Sequence, residues 1–166
     1  KLEFLDISDT SAIVIGRQIT IPSTLQVLRA NFIPIEGLQN ILAPETPGSL
    51  RELVASDNSI VDTIPAQFNQ PNIEKLILSP GKLYGQIPFD LLTNAPKLHT
   101  LDLSKNQLSG PIPDHSSINR PLNFDFNNSR IDLSNNQLSG AIPAAIGSHW
   151  YNIRLDNNKL TSGLPS

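Results

Sequence analysis

Leu98-His99-Thr100-Leu101-Asp102-Leu103-Ser104-Lys105-Asn106-Gln107-Leu108-Ser109-Gly110-Pro111-Ile112-Pro113 decides the fold. Its frame of spaced apolar residues, one Asn and a Gly-x-Ile-Pro ending returns, with drift, along the whole chain. A near-identical copy, Ile131-Asp132-Leu133-Ser134-Asn135-Asn136-Gln137-Leu138-Ser139-Gly140-Ala141-Ile142-Pro143, follows thirty residues after Leu101. Taking the first position of each copy gives Leu2, Leu25, Leu50, Ile73, Leu98, Asn128 and Trp150, at intervals of 23, 25, 23, 25, 30 and 22 residues. A period of this size predicts a solenoid, in which each repeat contributes one coil and neighbouring coils share a core.

The frame has a physical reading. Positions one, four and six are apolar, as in Leu50, Leu53 and Ala55 or Ile73, Leu76 and Leu78. The four-to-six spacing is that of a strand with one face turned inward. A single coil cannot cover that edge, so a neighbour in a parallel sheet must do so. Position nine is Asn in four copies, Asn58, Asn106, Asn136 and Asn158. An amide that both donates and accepts can satisfy backbone groups where the chain leaves the strand, which predicts a structural Asn ladder. Thr10, Ile33 and Gly81 hold that place in other copies and predict breaks in it. In Leu-x-Gly-x-Ile-Pro, Gly permits a positive φ and Pro fixes φ without donating to a ladder, so the chain turns away from the sheet.

These motifs resemble leucine-rich repeats of the plant-specific type, as in receptor-like kinase and receptor-like protein ectodomains and polygalacturonase-inhibiting proteins. The resemblance covers almost every residue. It implies an α/β repeat solenoid, a right-handed superhelix of about seven coils. A parallel β-sheet would line the concave face, with short extra strands and 3-10 or helical turns on the convex side. Phe68, Leu91, Leu92 and Ile146 would then be back-side core. Residues 1–166 form one expected domain whose terminal caps are missing. Two stretches depart from the frame. The second copy loses its Gly-x-Ile-Pro ending within Leu38-Gln39-Asn40-Ile41-Leu42-Ala43-Pro44, which predicts a helical turn there, and residues 114–128 are an inserted loop. That insertion ends in Asn127-Asn128-Ser129, an acceptor motif that marks Asn127 as a glycosylation site if the chain is secreted.

Residues between the inward positions project from the sheet, the face on which the resembled family binds partners. Aligning the copies sets Asp6, Arg29, Val54, Ile77, Asp102, Asp132 and Arg154 in one middle column. Val54 and Ile77, apolar and flanked by charge, have the pattern of a contact patch; β-propensity alone also favours both. Phe4 and Phe32 are expected either to extend that patch or to be covered by missing N-terminal sequence, and Arg51 and Lys75 stand beside it. A further column, Ser8, Ser56, Ser79, Ser104 and Ser134, is a regular row of small hydroxyls.

Composition narrows the function. The 166 residues carry 12 basic and 15 acidic side chains, a formal charge of −3, with no basic run, which disfavours nucleic acid. No apolar run approaches the roughly 18–20 residues of a membrane span. Cysteine is absent, and His99, His115 and His149 lie far apart without triad or metal-ligand spacing, so no catalytic residue, metal or cofactor is expected. Asp102 and Asp132 share a register, as paired carboxylates can, but no cleft is implied. Asp156-Asn157-Asn158 and Asp125-Phe126-Asn127 lack the Gly and Glu of a calcium loop. The reading that results is a non-catalytic recognition module, extracellular or at the cell surface, holding a protein, peptide or glycan. Bare ends suggest a different role, end-to-end self-association into a structural array. The serine row suggests a third, ice binding, although paired Thr columns are lacking.

Overall fold

The computed structural model describes residues 1–10, 22–33, 35, 37–42, 48–58, 60–114, 116–122 and 124–161. His115, Pro44 and the last residues of the seventh copy lie outside them. Seven short strands, Phe4–Asp6 (β1), Val27–Arg29 (β2), Glu52–Val54 (β3), Lys75–Ile77 (β4), Thr100–Asp102 (β6), Arg130–Asp132 (β8) and Asn152–Arg154 (β10), form one parallel sheet in that order. One strand comes from each copy. A second parallel sheet is built from Tyr84–Gly85 (β5), Gln107–Gly110 (β7), Gln137–Gly140 (β9) and Lys159–Leu160 (β11).

The main sheet keeps the repeat register without slip. Leu5 pairs with Leu28, Leu28 with Leu53, Leu53 with Leu76, Leu76 with Leu101, Leu101 with Ile131, and Ile131 with Ile153. The five central members are fully buried, and Leu5 and Ile153 are half-buried where the stack ends among the described residues. This is the pooled core that the spacing requires, since each Leu is covered from both sides by its equivalents. The second sheet is offset. Tyr84 pairs with Gln107, Ser109 with Gln137, and Ser139 with Lys159, so each strand meets the next two residues out of the repeat frame.

Between the sheets the chain is turned by glycine and proline. Gly85, Gly110 and Gly140 have φ near +80°, which a Cβ would strain. A Cβ on Gly110 would also come within 2.9 Å of Gln86 Cγ. Gly37, at φ 80°, occupies the same frame position in the second copy, so that copy keeps the turn although its Ile-Pro is gone. Its back is the helical turn Gln39–Leu42 (α1). In the fourth and sixth copies a proline carbonyl starts the back-side turn. Pro88 O accepts Leu91 N–H before Phe89–Thr93 (α2), and Pro143 O accepts Ile146 N–H before Ile146–His149 (α3). Phe68, Leu91, Leu92 and Ile146 are buried behind the sheet.

The Asn side chains work across coils. Asn106 Oδ1 accepts Leu83 N–H of the preceding coil at 2.9 Å, while its Nδ2 donates to the carbonyls of Leu78, Leu103 and Ser104. Asn136 does the same for Leu108, Leu103, Leu133 and Ser134. Asn158 serves Leu138, Leu133, Leu155 and Asp156. Asn58 takes Ile33 N–H at 2.7 Å and donates to Ala30 O. Asn106, Asn136 and Asn158 therefore support the coil before them as well as their own turn, and Asn58 supports the coil before it. Ile33 is no break for its own coil, because Asn58 reaches back to it. At Gly81 the space is taken from the other side, since a Cβ there would meet Asn106 Oδ1 at 2.8 Å.

Two sequence expectations need correction. Leu2, expected at an inward position, is 46 % exposed. The serine row is not an open array of hydroxyls. Ser79, Ser104 and Ser134 are buried, and Ser104 Oγ and Ser134 Oγ donate to Asp102 and Asp132 at 2.8 and 2.6 Å. A short hydroxyl two residues after a strand carboxylate closes a local turn, which removes it from the surface.

Candidate functional site

The main-sheet register brings the expected middle column together: Asp6 beside Arg29, then Val54, Ile77, Asp102, Asp132 and Arg154. Adjacency does not leave these groups free. Arg29 Nε donates to Glu52 Oε1 at 2.8 Å, and Lys75 Nζ lies 3.7 Å from the same oxygen. Arg51 grips Glu74 through Nε and Nη2 at 2.9–3.1 Å. Contact with Glu52 holds the Arg29 pKa above its ordinary value. Phe4 is 52 % exposed with the Arg29 guanidinium 5.4 Å over its ring. The Asp6 carboxyl is held below its usual range, first by the backbone N–H of Ser8. Arg154 stands 3.7 Å from Asp132 and 3.6 Å from Asp156. Val54 and Ile77 are half-buried among these pairs, so they form a narrower apolar seam than alternation alone implies.

Two concavities of the face lie upstream of that column. One, of about 240 Å³, is lined by Gln26, Val27, Arg51, Glu52, Glu74, Lys75 and His99. The next, of about 330 Å³, shares Glu74 and His99 and is closed by Lys97, Pro121, Phe124 and Asp125. Together they make a shallow groove over the second to fifth coils, ended by the insertion. A third hollow, of about 140 Å³, holds Asp102, Asp132, Arg130 and Arg154. Arg51 and Lys75 thus line the groove; Phe4, Val54 and Ile77 do not.

The insertion that ends the groove is fastened by Arg120, a residue outside the repeat frame. Its Nη1 donates to Pro96 O and Leu98 O at 3.2 and 2.6 Å, and its Nη2 reaches His149 O at 3.5 Å. The guanidinium lies 4.1 Å from the Phe124 ring centre and 5.0 Å from that of Trp150. The sixth copy has no apolar first residue, Asn128 being exposed, and the insertion fastens itself through Arg120 to Pro96, Leu98, His149 and Trp150 instead. Burial lowers the Arg120 pKa to about 10, which still leaves it charged at neutral pH. Cation–π contact and three carbonyls offset that desolvation.

A stack of coils sharing one parallel sheet, with an Asn ladder and Gly-x-Ile-Pro turns, defines a repeat solenoid. Comparison with known proteins agrees. The family described as Leucine Rich Repeat matches residues 97–117 and 129–149. The chain is 50 % identical over 58 residues to the receptor-like protein CLAVATA2 of Arabidopsis thaliana, a match covering 34 % of this chain and 8 % of that protein. It resembles the leucine-rich-repeat ectodomain of the Arabidopsis receptor kinase HAESA, solved with an N-terminally extended IDA peptide hormone ligand. There the TM-score is 0.68 and the identity 25 %, over 96 % of this chain and 26 % of that one. It also resembles a plant ice-binding protein, with TM-score 0.67 and 31 % identity over 94 % of this chain and 49 % of the other. Two of its copies match the leucine-rich-repeat family directly, and the chain as a whole is similar to plant receptor ectodomains built of such repeats. It spans well under half the length of CLAVATA2 and of the HAESA ectodomain.

Proposed function

We propose that the chain is a non-catalytic recognition module of an extracellular receptor, receptor-like protein or secreted inhibitor, which holds a protein, peptide or glycan against its main sheet. The observation that carries this reading is the groove formed by the two cavities that share Glu74 and His99. Four coils at about 4.8 Å spacing give a floor roughly 14 Å long, the span of about four extended residues. Of the three partner classes, an extended peptide fits that floor best. Ion-paired neighbours hold the lining side chains in place, which lowers the ordering cost on binding. The peptide hormone bound by HAESA supports the same choice.

Selection of a displayed random-peptide library on the chain tests it. Peptides so enriched should lose at least tenfold in affinity for a Lys97→Glu/His99→Asp double variant whose circular dichroism is unchanged. Equal affinity for the variant would reject the groove.

Likeness to a plant ice-binding protein favours a second reading. The serine row gives it no support, because Ser104 and Ser134 spend their hydroxyls on Asp102 and Asp132. A measurement of ice-crystal growth in the presence of the chain separates the two, since a recognition module leaves growth unaltered.

A further inference from the structure

The third and fourth coils are joined differently at front and back. At the front the main sheet is unbroken: Leu53 pairs with Leu76, and Ala55 N–H donates to Ile77 O at 2.8 Å. At the back, bonds that recur elsewhere are absent among the described residues. The position-eight amide donates to the position-seven carbonyl of the next coil in Asp9–Asn31, Phe32–Ser56, Lys105–Ser134 and Asn135–Asp156, at 2.9–3.0 Å. Asp57 makes no such bond to Ser79. Asn106, Asn136 and Asn158 each receive the position-eleven amide of the coil before, but Gly81 has no side chain to receive that of Ile60. The second sheet starts only at β5, in the fourth coil. What joins the two backs is Tyr84 N–H to Asp62 O at 3.1 Å and Asn94 Nδ2 to Phe68 O at 3.0 Å.

One junction further on, the back is closed: β5 pairs with β7, Gln107 N–H donates to Leu83 O at 2.8 Å, and Asn106 bonds to both coils. The missing strut is a matter of sequence, because Ser79-Pro80-Gly81 stands where the next copies carry Ser104-Lys105-Asn106 and Ser134-Asn135-Asn136. Gln70, at the end of the third coil, is wholly buried with neither side-chain polar atom bonded. Such an amide is costly for as long as water is kept from it.

We propose that the solenoid has a hinge between its third and fourth coils, with the main sheet as the leaf that bends and the backs of the two coils as the sides that part. Local opening of this kind occurs where few bonds hold, well below the free energy of global unfolding. Water then reaches Gln70. The groove lies across the hinge line, with Arg51 and Glu52 on one side and Glu74 and Lys75 on the other. Parting of the backs therefore curls the sheet more tightly around whatever lies there. Use of that motion in capture rests on the function proposed above; the hinge itself does not.

Native-state hydrogen exchange followed by NMR on the whole chain, with no ligand, tests it. Ala55 and Tyr84 cross the hinge at front and back. Leu78 and Gln107 cross the next junction in the same way, Leu78 N–H donating to Asp102 O at 2.9 Å. Relative to an unstructured peptide, Tyr84 should be protected about tenfold less than Gln107, while Ala55 and Leu78 stay within about threefold of each other. Equal protection of Tyr84 and Gln107 would overturn the hinge. So would a loss at Ala55 matching that at Tyr84, the mark of a coil that unfolds outright.

A staple reads the same amide a second way. The chain has no cysteine, and a Cβ at Gly85 would stand 4.0 Å from that of Thr63, inside the disulfide range of about 3.5–4.5 Å. In a Thr63→Cys/Gly85→Cys variant, closing the disulfide should raise the protection of Tyr84 about tenfold over the reduced form. Both forms carry the same strain at position 85, where φ is 81°, so the comparison cancels it. No difference between the oxidised and reduced forms would sink the hinge, and if the variant does not fold, the exchange of the parent chain decides alone. Neither measurement involves a ligand, so hinge and capture fail separately.

Discussion

Phe32 sits at φ 57°, the place that Asp9, Asp57, Lys105, Asn135 and Asn157 fill in other coils at φ between 52° and 60°. Left-handed backbone suits Asn and Asp, whose short side chains bond locally, and is an outlier for a bulky aromatic. Phe32 is 58 % exposed, so its ring recovers little by burial. Phe32→Asn should therefore stabilise the chain by about 1 kcal/mol and raise Tm by about 2–4 °C in calorimetry. No gain, or a loss, would show that the ring makes a contact worth the strain. Asn106 is the opposite case, a polar group whose every bond is used. Asn106→Leu strands Leu83 N–H and three carbonyls inside the turn, and should cost about 2–4 kcal/mol as a fall in the urea midpoint. A change under about 1 kcal/mol would mean that water replaces the amide.

Arg120 ties the insertion to the neighbouring coils. Arg120→Met keeps an apolar stem between Phe124 and Trp150 but leaves Pro96 O and Leu98 O without their donor, at a cost of about 2–3 kcal/mol. Limited proteolysis should then cut within residues 114–128 faster than in the parent chain; an unchanged cutting rate would show that Ile118 and the aromatic contacts suffice. The role of Arg120 was not legible in the sequence. Alignment of copies places a residue only where the frame continues, and the insertion interrupts it. The main sheet was legible for the converse reason: Leu28, Leu53, Leu76, Leu101 and Ile131 share one frame position, and apolar residues two apart point the same way. Alternation could show which residues of β3 and β4 face outward, but not that Glu52 would join Arg29 to Lys75. The depth of Ser104 and Ser134 was missed because a serine on an outward position looks the same in sequence whether or not a carboxylate two residues earlier claims it.

At the scale of the molecule, stability is shared between adjacent coils through the Leu column and the Asn ladder, and the surface ion pairs add little. Arg29, Arg51 and Arg154 are each more than 40 % exposed at the side chain. Exposed pairs contribute about 0–1 kcal/mol apiece and are screened by salt. Raising NaCl from about 0.05 to about 1 M should alter the unfolding free energy by no more than about 1 kcal/mol. A loss of several kcal/mol would place the pairs, rather than the column, at the centre of the fold. The offset of the back strands acts over the same length. Two residues of slip amount to about 7 Å of sideways travel for each step of about 4.8 Å, while the front strands stay level. Equivalent residues at the back of neighbouring coils are therefore not opposite one another, although those at the front are.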